Sequence, residues 1–219
     1  MTYTKEMIST DIEIYVAKIT YINSCIEIYD YLDISRVWHN EKVNIAPAFF
    51  GLTMSTLARS LILETCILFG QKEDKSIKKL LNICENNMKI MGNDIVSRSS
   101  VENNGVKQVI KTSERINIKK TISDLKNEHC GLSDIVDKIK LQRDKVLAHS
   151  DKEFFYDIKK MSRENPVSTS DCKILMDFAL RTCNLFYKVL NDGRTFTGIY
   201  KNVNDIECLF NALSKNGRN

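Results

Sequence analysis

Apolar residues Ile8, Ile12, Tyr15, Ile19, Ile22, Ile26 and Tyr29 alternate four and three positions apart. That heptad spacing predicts one long helix over about Thr4–Trp38, within a heptad segment spanning 1–45. Its stripe must pack lengthwise against other helices or a partner chain. Because the repeat lasts barely three heptads, a helix buried inside a bundle is the better reading. A second helix is expected from Pro47, whose missing N–H suits a first helical position, to Phe69. Phe49, Phe50, Leu52, Met54, Leu57, Leu61, Ile62, Leu63, Ile67 and Leu68 make it apolar nearly all round, the pattern of a central buried helix. Arg59 and Glu64 are its only charges, and each needs a partner or a task there.

Further helices are expected over Asp74–Met91, Glu114–Lys126, Leu132–His149, Ser170–Leu190 and Asn204–Leu213, with a turn at Asn191-Asp192-Gly193. The stretch 92–113 is rich in Ser, Asn, Gly and charge and reads as a long polar loop, with no strand pattern of consequence. Only two prolines and eight glycines interrupt the chain, which leaves room for long helices. The expectation is an all-α protein: a single domain over 1–219, an antiparallel helical bundle with additional helices.

Composition changes this picture little. A 43% hydrophobic share suffices for a real core, and a net charge of +4 is too small to argue for nucleic acid by itself. The seven cysteines are odd in number and form no Cys-x-x-Cys, so they read as reduced, buried small hydrophobes. His39, His129 and His149 show no metal-ligand spacing, and no metal or other cofactor is expected. Charges in the first turns break any signal-peptide core, and Leu57–Phe69 is too short to cross a bilayer. A soluble, cytoplasmic protein with no membrane partner is expected. Phosphate-cradling glycine loops and a nucleophile elbow are absent from the sequence.

The segment with chemistry is Leu141-Gln142-Arg143-Asp144-Lys145-Val146-Leu147-Ala148-His149-Ser150-Asp151. At about 100° per residue, Leu132, Ile135, Val136, Ile139, Val146 and Leu147 form an apolar stripe that contains Arg143. A guanidinium there needs a partner, a ligand or a solvent-lined seam. His149 lies about 120° around and roughly 9 Å further along, so one straight helix does not join the two. Either the helix ends near Ala148, or a second copy of the same helix completes the site, which the small Ala148 would permit.

Arg143 and His149 with five residues between them, and Asp144 as the polar follower, resemble the RNA-cleaving motif of HEPN (higher eukaryotes and prokaryotes nucleotide-binding) proteins. The wider 141–151 segment resembles the AbiU-type abortive-infection branch. Phe49-Phe50-Gly51-Leu52 through Phe69, followed by Ser76-Ile77-Lys78-Lys79-Leu80-Leu81, is similar to that branch too. The resemblance covers about Phe49–Asp151. It implies a two-fold homodimer joining two motifs in one cleft, and metal-independent cleavage of RNA in phage defence or as a toxin, with an antitoxin as a further partner. In that scheme His149 moves protons and Arg143 stabilises the charged phosphorane, with Asp144, Asp151 or Glu64 in support.

The same residues also admit a structural reading. His149 suits a helix C-terminus, Ser150 and Asp151 can cap the next segment, and Arg143 can form an ion pair, Glu64 being a candidate. A non-catalytic HEPN module that binds RNA, a nucleotide or a partner protein therefore stands as the alternative, and a purely structural interaction protein as a third.

Overall fold

A computed structural model describes residues 3–38, 40–70, 73, 75–92, 94–103, 106–144, 166–196 and 203–216. Among these, nine helices occur in chain order. They are α1 (Lys5–Trp38), α2 (Asn40–Val43), α3 (Pro47–Phe69), α4 (Ile77–Asn86), α5 (Met88–Met91), α6 (Ile118–Gly131), α7 (Ser133–Gln142), α8 (Thr169–Leu190) and α9 (Val203–Asn216). The all-α class holds.

The stretch 92–113 is not a loop. It carries an antiparallel hairpin of β1 (Asp94–Asn103) and β2 (Val106–Arg115), with Asp94 opposite Arg115 and Asn103 opposite Val106. The ladder leaves two residues between its strands, Asn104 and Gly105. In sequence, Asn-Gly between two strands is among the strongest signals for a two-residue hairpin connection. That local signal outweighs the polar composition. The helix expected from Glu114 starts instead at Ile118, since β2 runs on to Arg115 and Asn117 Oδ1 caps the next turn by accepting from Lys120 N at 3.0 Å.

By contacts the chain divides into two compact units, each assembled from separated stretches. The first takes Met1–Ala17, Leu68–Ser133 and Asp177–Thr197. Ile8, Ile12, Leu80, Leu81, Cys84 and Phe186 are fully buried there. Ser76 serves twice at the start of α4: its hydroxyl accepts from Lys79 N, and its carbonyl accepts from the Tyr15 hydroxyl at 3.1 Å. Burial, then Asp11, pushes that phenol far up, so it stays a donor. His129, near the end of α6, stacks on Phe69 at 5.9 Å between centroids and 13° between planes, with Phe178 tilted beside it at 6.0 Å. The expected stop after α8 is present, with Asp192 at φ 50° and Gly193 at φ 79°.

The second unit takes Lys18–Ile67, Asp134–Met176 and Gly198–Asn219. Its apolar centre includes Ile19, Ile22, Leu32, Val43, Phe50, Met54, Leu61, Ile139 and Leu175. Phe210 of α9 meets Phe50 edge-on at 5.4 Å, anchoring α9 against α2 and the start of α3. Lys18 pairs with Glu64 at 2.8 Å and Lys173 with Asp30 at 2.6 Å.

The two long N-terminal helices differ from each other. Every α1 stripe residue from Ile8 to Ile26 is buried. The second helix is not buried all round: Phe49 is 57% exposed, Leu52 69% and Leu63 41%. At 23 residues α3 also has the length and apolar composition of a bilayer-spanning helix, a test that core helices pass as well; about a third of its most apolar window is buried. The Leu57–Phe69 stretch alone falls short of that length, and the residues from Pro47 on supply the difference.

Candidate functional site

α7 brings the start of the motif to the second unit. Val136 and Ile139 are spaced three apart and buried, which fixes the inward face of the helix. At Arg143 and Asp144 the backbone takes the wider π-helical form, a distortion frequent at functional sites. Arg143 is 29% exposed at its side chain, so it sits at the edge of the apolar stripe and reaches solvent. Its Nε donates to Asp144 Oδ1 at 2.7 Å. That contact between sequence neighbours holds the Nε edge of the guanidinium. With Asp144 51% exposed, it contributes only about 0–1 kcal/mol to stability.

Behind this pair lies a thiol. Cys66 of α3 is 1% exposed, and burial pushes it up to about 11. Arg143 and Lys140 pull in the other direction, while Asp144 and Cys172 add to the rise. Arg143 and Asp144 therefore stand within electrostatic reach of the inward face of α3, and Cys172, near the start of α8, reaches the same thiol. Glu64 precedes Cys66 by two residues, about 200° around the helix. It lies on the Lys18 side, where that ammonium holds it. The structure thus brings Arg143 and Asp144 together beside Cys66 and leaves Glu64 on the other flank of α3. His149 and Asp151 lie outside the described residues. Among the described residues, no three His, Cys, Asp or Glu side chains converge as metal ligands.

Two clefts open in the second unit. One of about 620 Å³ lies between the end of α1, α2 and the start of α3, lined in part by Arg36, Asn40 and Phe50, and includes no motif-helix residue. The other, of about 430 Å³, has Gln142 in its wall, the residue before Arg143. Tyr29 and Asp33 of α1, Leu61 and Ile62 of α3, and Cys172 of α8 also line it. The sequence does not single out Tyr29, Asp33 or Cys172. Tyr29 closes the heptad stripe and so reads as core. No local signal in the chain links it to Gln142, more than a hundred residues away.

No curated protein and no solved structure matches the chain. A family match does extend over residues 12–206, most of its length, and it is to AbiU2, of HEPN type. That span takes in the stripe of α1 from Ile12 on, all of α3 and the whole 141–151 motif. The chain belongs to the AbiU2 family of HEPN proteins.

Proposed function

We propose that this abortive-infection HEPN module is an endoribonuclease that cuts RNA without a metal ion. The observation that carries the reading is the Arg143–His149 motif within a chain matched to AbiU2 over 12–206, with Arg143 reaching solvent at the end of α7. In the reaction, the ribose 2′-oxygen attacks the adjacent phosphorus as its proton leaves to a base. The P–O5′ bond breaks, and the 5′-oxygen takes up a proton, leaving a 2′,3′-cyclic phosphate. Imidazole titrates near neutrality, so His149 suits either proton transfer. If two copies meet, one His149 accepts and the other donates. Arg143 offers a planar, charged fork to the phosphate oxygens, where negative charge grows in the transition state. Asp144, bonded to Nε, is a positioning residue for that fork. Asp151 and Glu64 have lesser, orienting roles in this scheme. The substrate is cellular or phage RNA, tRNA or mRNA included. The partners are a second copy of the chain and an antitoxin, in the cytoplasm.

The test is direct. Wild type, Arg143→Ala and His149→Ala are incubated with mixed RNA in EDTA, and the ends are analysed. Cyclic phosphate ends from wild type alone support the enzyme, with a loss of at least about 100-fold in each variant. Retained RNA binding with no cleavage in any of the three overturns it in favour of a non-catalytic module. Toxicity on expression in a bacterial host, abolished by either substitution, is the expected outcome in cells.

A further inference from the structure

The 430 Å³ cleft is the feature left over. It falls within the roughly 300–1,000 Å³ of small-molecule sites, and its wall residue Gln142 is bonded directly to Arg143. Its lining says what it would accept. Leu61 and Ile62 of α3 and the Tyr29 ring of α1 contribute its apolar lining. That combination suits a flat aromatic ring. Phosphate does not fit: Asp33 and Asp30 bring negative charge, and the nearby N-terminus of α8 carries a side-chain cap of its own. There, Ser168 Oγ accepts from Asp171 N at 3.1 Å, and Asp171 Oδ2 accepts from Ser168 N at 2.9 Å. Asp30 is engaged by Lys173 at 2.6 Å. Asp33 is exposed and lines both this cleft and the larger one, where Arg36 stands one turn further along α1, and its carboxylate can only accept hydrogen bonds when charged. Burial and Asp33 together push the Tyr29 phenol up, so it remains a neutral donor.

We propose that this cleft binds a guanine base of the RNA strand, with the Asp33 carboxylate accepting from its N1–H and N2–H. Guanine alone presents two adjacent donors on its Watson–Crick edge. Uracil flanks its single N–H with carbonyl oxygens, and adenine and cytosine set a ring acceptor beside the amino group, so each meets the carboxylate with an acceptor. Unstacked single-stranded bases are read this way, by an aromatic or apolar sandwich and hydrogen bonds to that edge. The proposal rests on the reading of Arg143 as a phosphate-handling residue, since it makes the cleft a neighbouring base subsite of the same strand.

Equilibrium binding of guanosine, inosine, adenosine, cytidine and uridine to the full chain separates the two claims. Guanosine is expected to bind at least about 10-fold tighter than the others, inosine included because it lacks the N2 amino group. Asp33→Asn is expected to abolish that preference, and substitution of Ala58, a further lining residue, by Phe (Ala58→Phe), which adds bulk in the cleft without altering charge, to weaken guanosine binding. Arg143→Ala and His149→Ala should leave nucleoside binding intact. Equal binding of all five nucleosides, no binding at all, or an unchanged preference in Asp33→Asn overturns the proposal, whether or not RNA is cut. Selective guanosine binding by a protein that cuts no RNA sustains the base site and removes the nuclease reading instead.

Discussion

α1 and α3 are both long and rich in apolar residues, yet they bury them differently. In α1 the apolar positions are periodic, and the stripe from Ile8 to Ile26 is entirely inside. In α3 they are spread around the helix, and the fold selects among them: Phe50, Met54, Leu61, Cys66 and Leu68 go in, while Phe49, Leu52 and Leu63 stay out. A periodic pattern names the buried face in advance, because only one orientation hides the whole stripe. An aperiodic apolar helix leaves that choice to its neighbours. Here the neighbours are the Lys18 side of α1, which takes Glu64, and the end of α7, which faces Cys66.

The contrast can be tested by unfolding in denaturant, beginning with the largest effect. Ile22→Ala empties a fully buried position of the α1 stripe and is expected to cost about 2–5 kcal/mol. A cost below about 1 kcal/mol would mean that the stripe is not the core. Alkaline pH probes the buried thiols, with Cys66 on the inward side of α3 among them and Cys84 and Cys183 raised by burial as well. Burial raises Cys66 and its neighbour Cys172 from an ordinary 9.0 to about 11 in the folded chain. Above pH 9 the unfolded chain loses these protons first, so it binds fewer than the folded chain and stability falls as pH rises. The stability is fully present below 9 and is lost on the way to about 11, on the order of 2 kcal/mol for each thiol. Equal loss in a Cys66→Ala, Cys172→Ala variant would show that other groups are responsible. The outward side of α3 should give the smallest change: Leu52→Ser, at a position 69% exposed, should stay within about 0.5 kcal/mol. A larger loss that grows with protein concentration would reveal that a second copy covers this face.

Much of the fold is legible in the chain. Pro47 opens α3, the heptad stripe places α1, and Asn191-Asp192-Gly193 ends α8. Each of these is local chemistry, decided by residues within a turn or two. The hairpin at 94–115 is equally local in its signal, through Asn104-Gly105, but ranking polar composition above turn geometry hides it. In the candidate site, Arg143 is conspicuous as a charge set in an apolar stripe, and Asp144, which bonds it, is its sequence neighbour. Cys66, Cys172, Tyr29 and Asp33 carry no such mark. Their approach to the motif depends on how α1, α3 and α8 pack against the end of α7.

By itself, then, the order of residues settled where the long helices α1, α3 and α8 run, which stripe of α1 turns inward, and which short segment bears a guanidinium and an imidazole. Those outcomes come from backbone capping, proline and glycine geometry and the 3.6-residue repeat, all short-range. Tertiary packing alone decided which side of α3 is covered, that Glu64 answers to Lys18, and that a cleft opens beside Gln142. Contacts between residues tens of positions apart arise only when whole helices compete to exclude water, and no short window of sequence contains that competition.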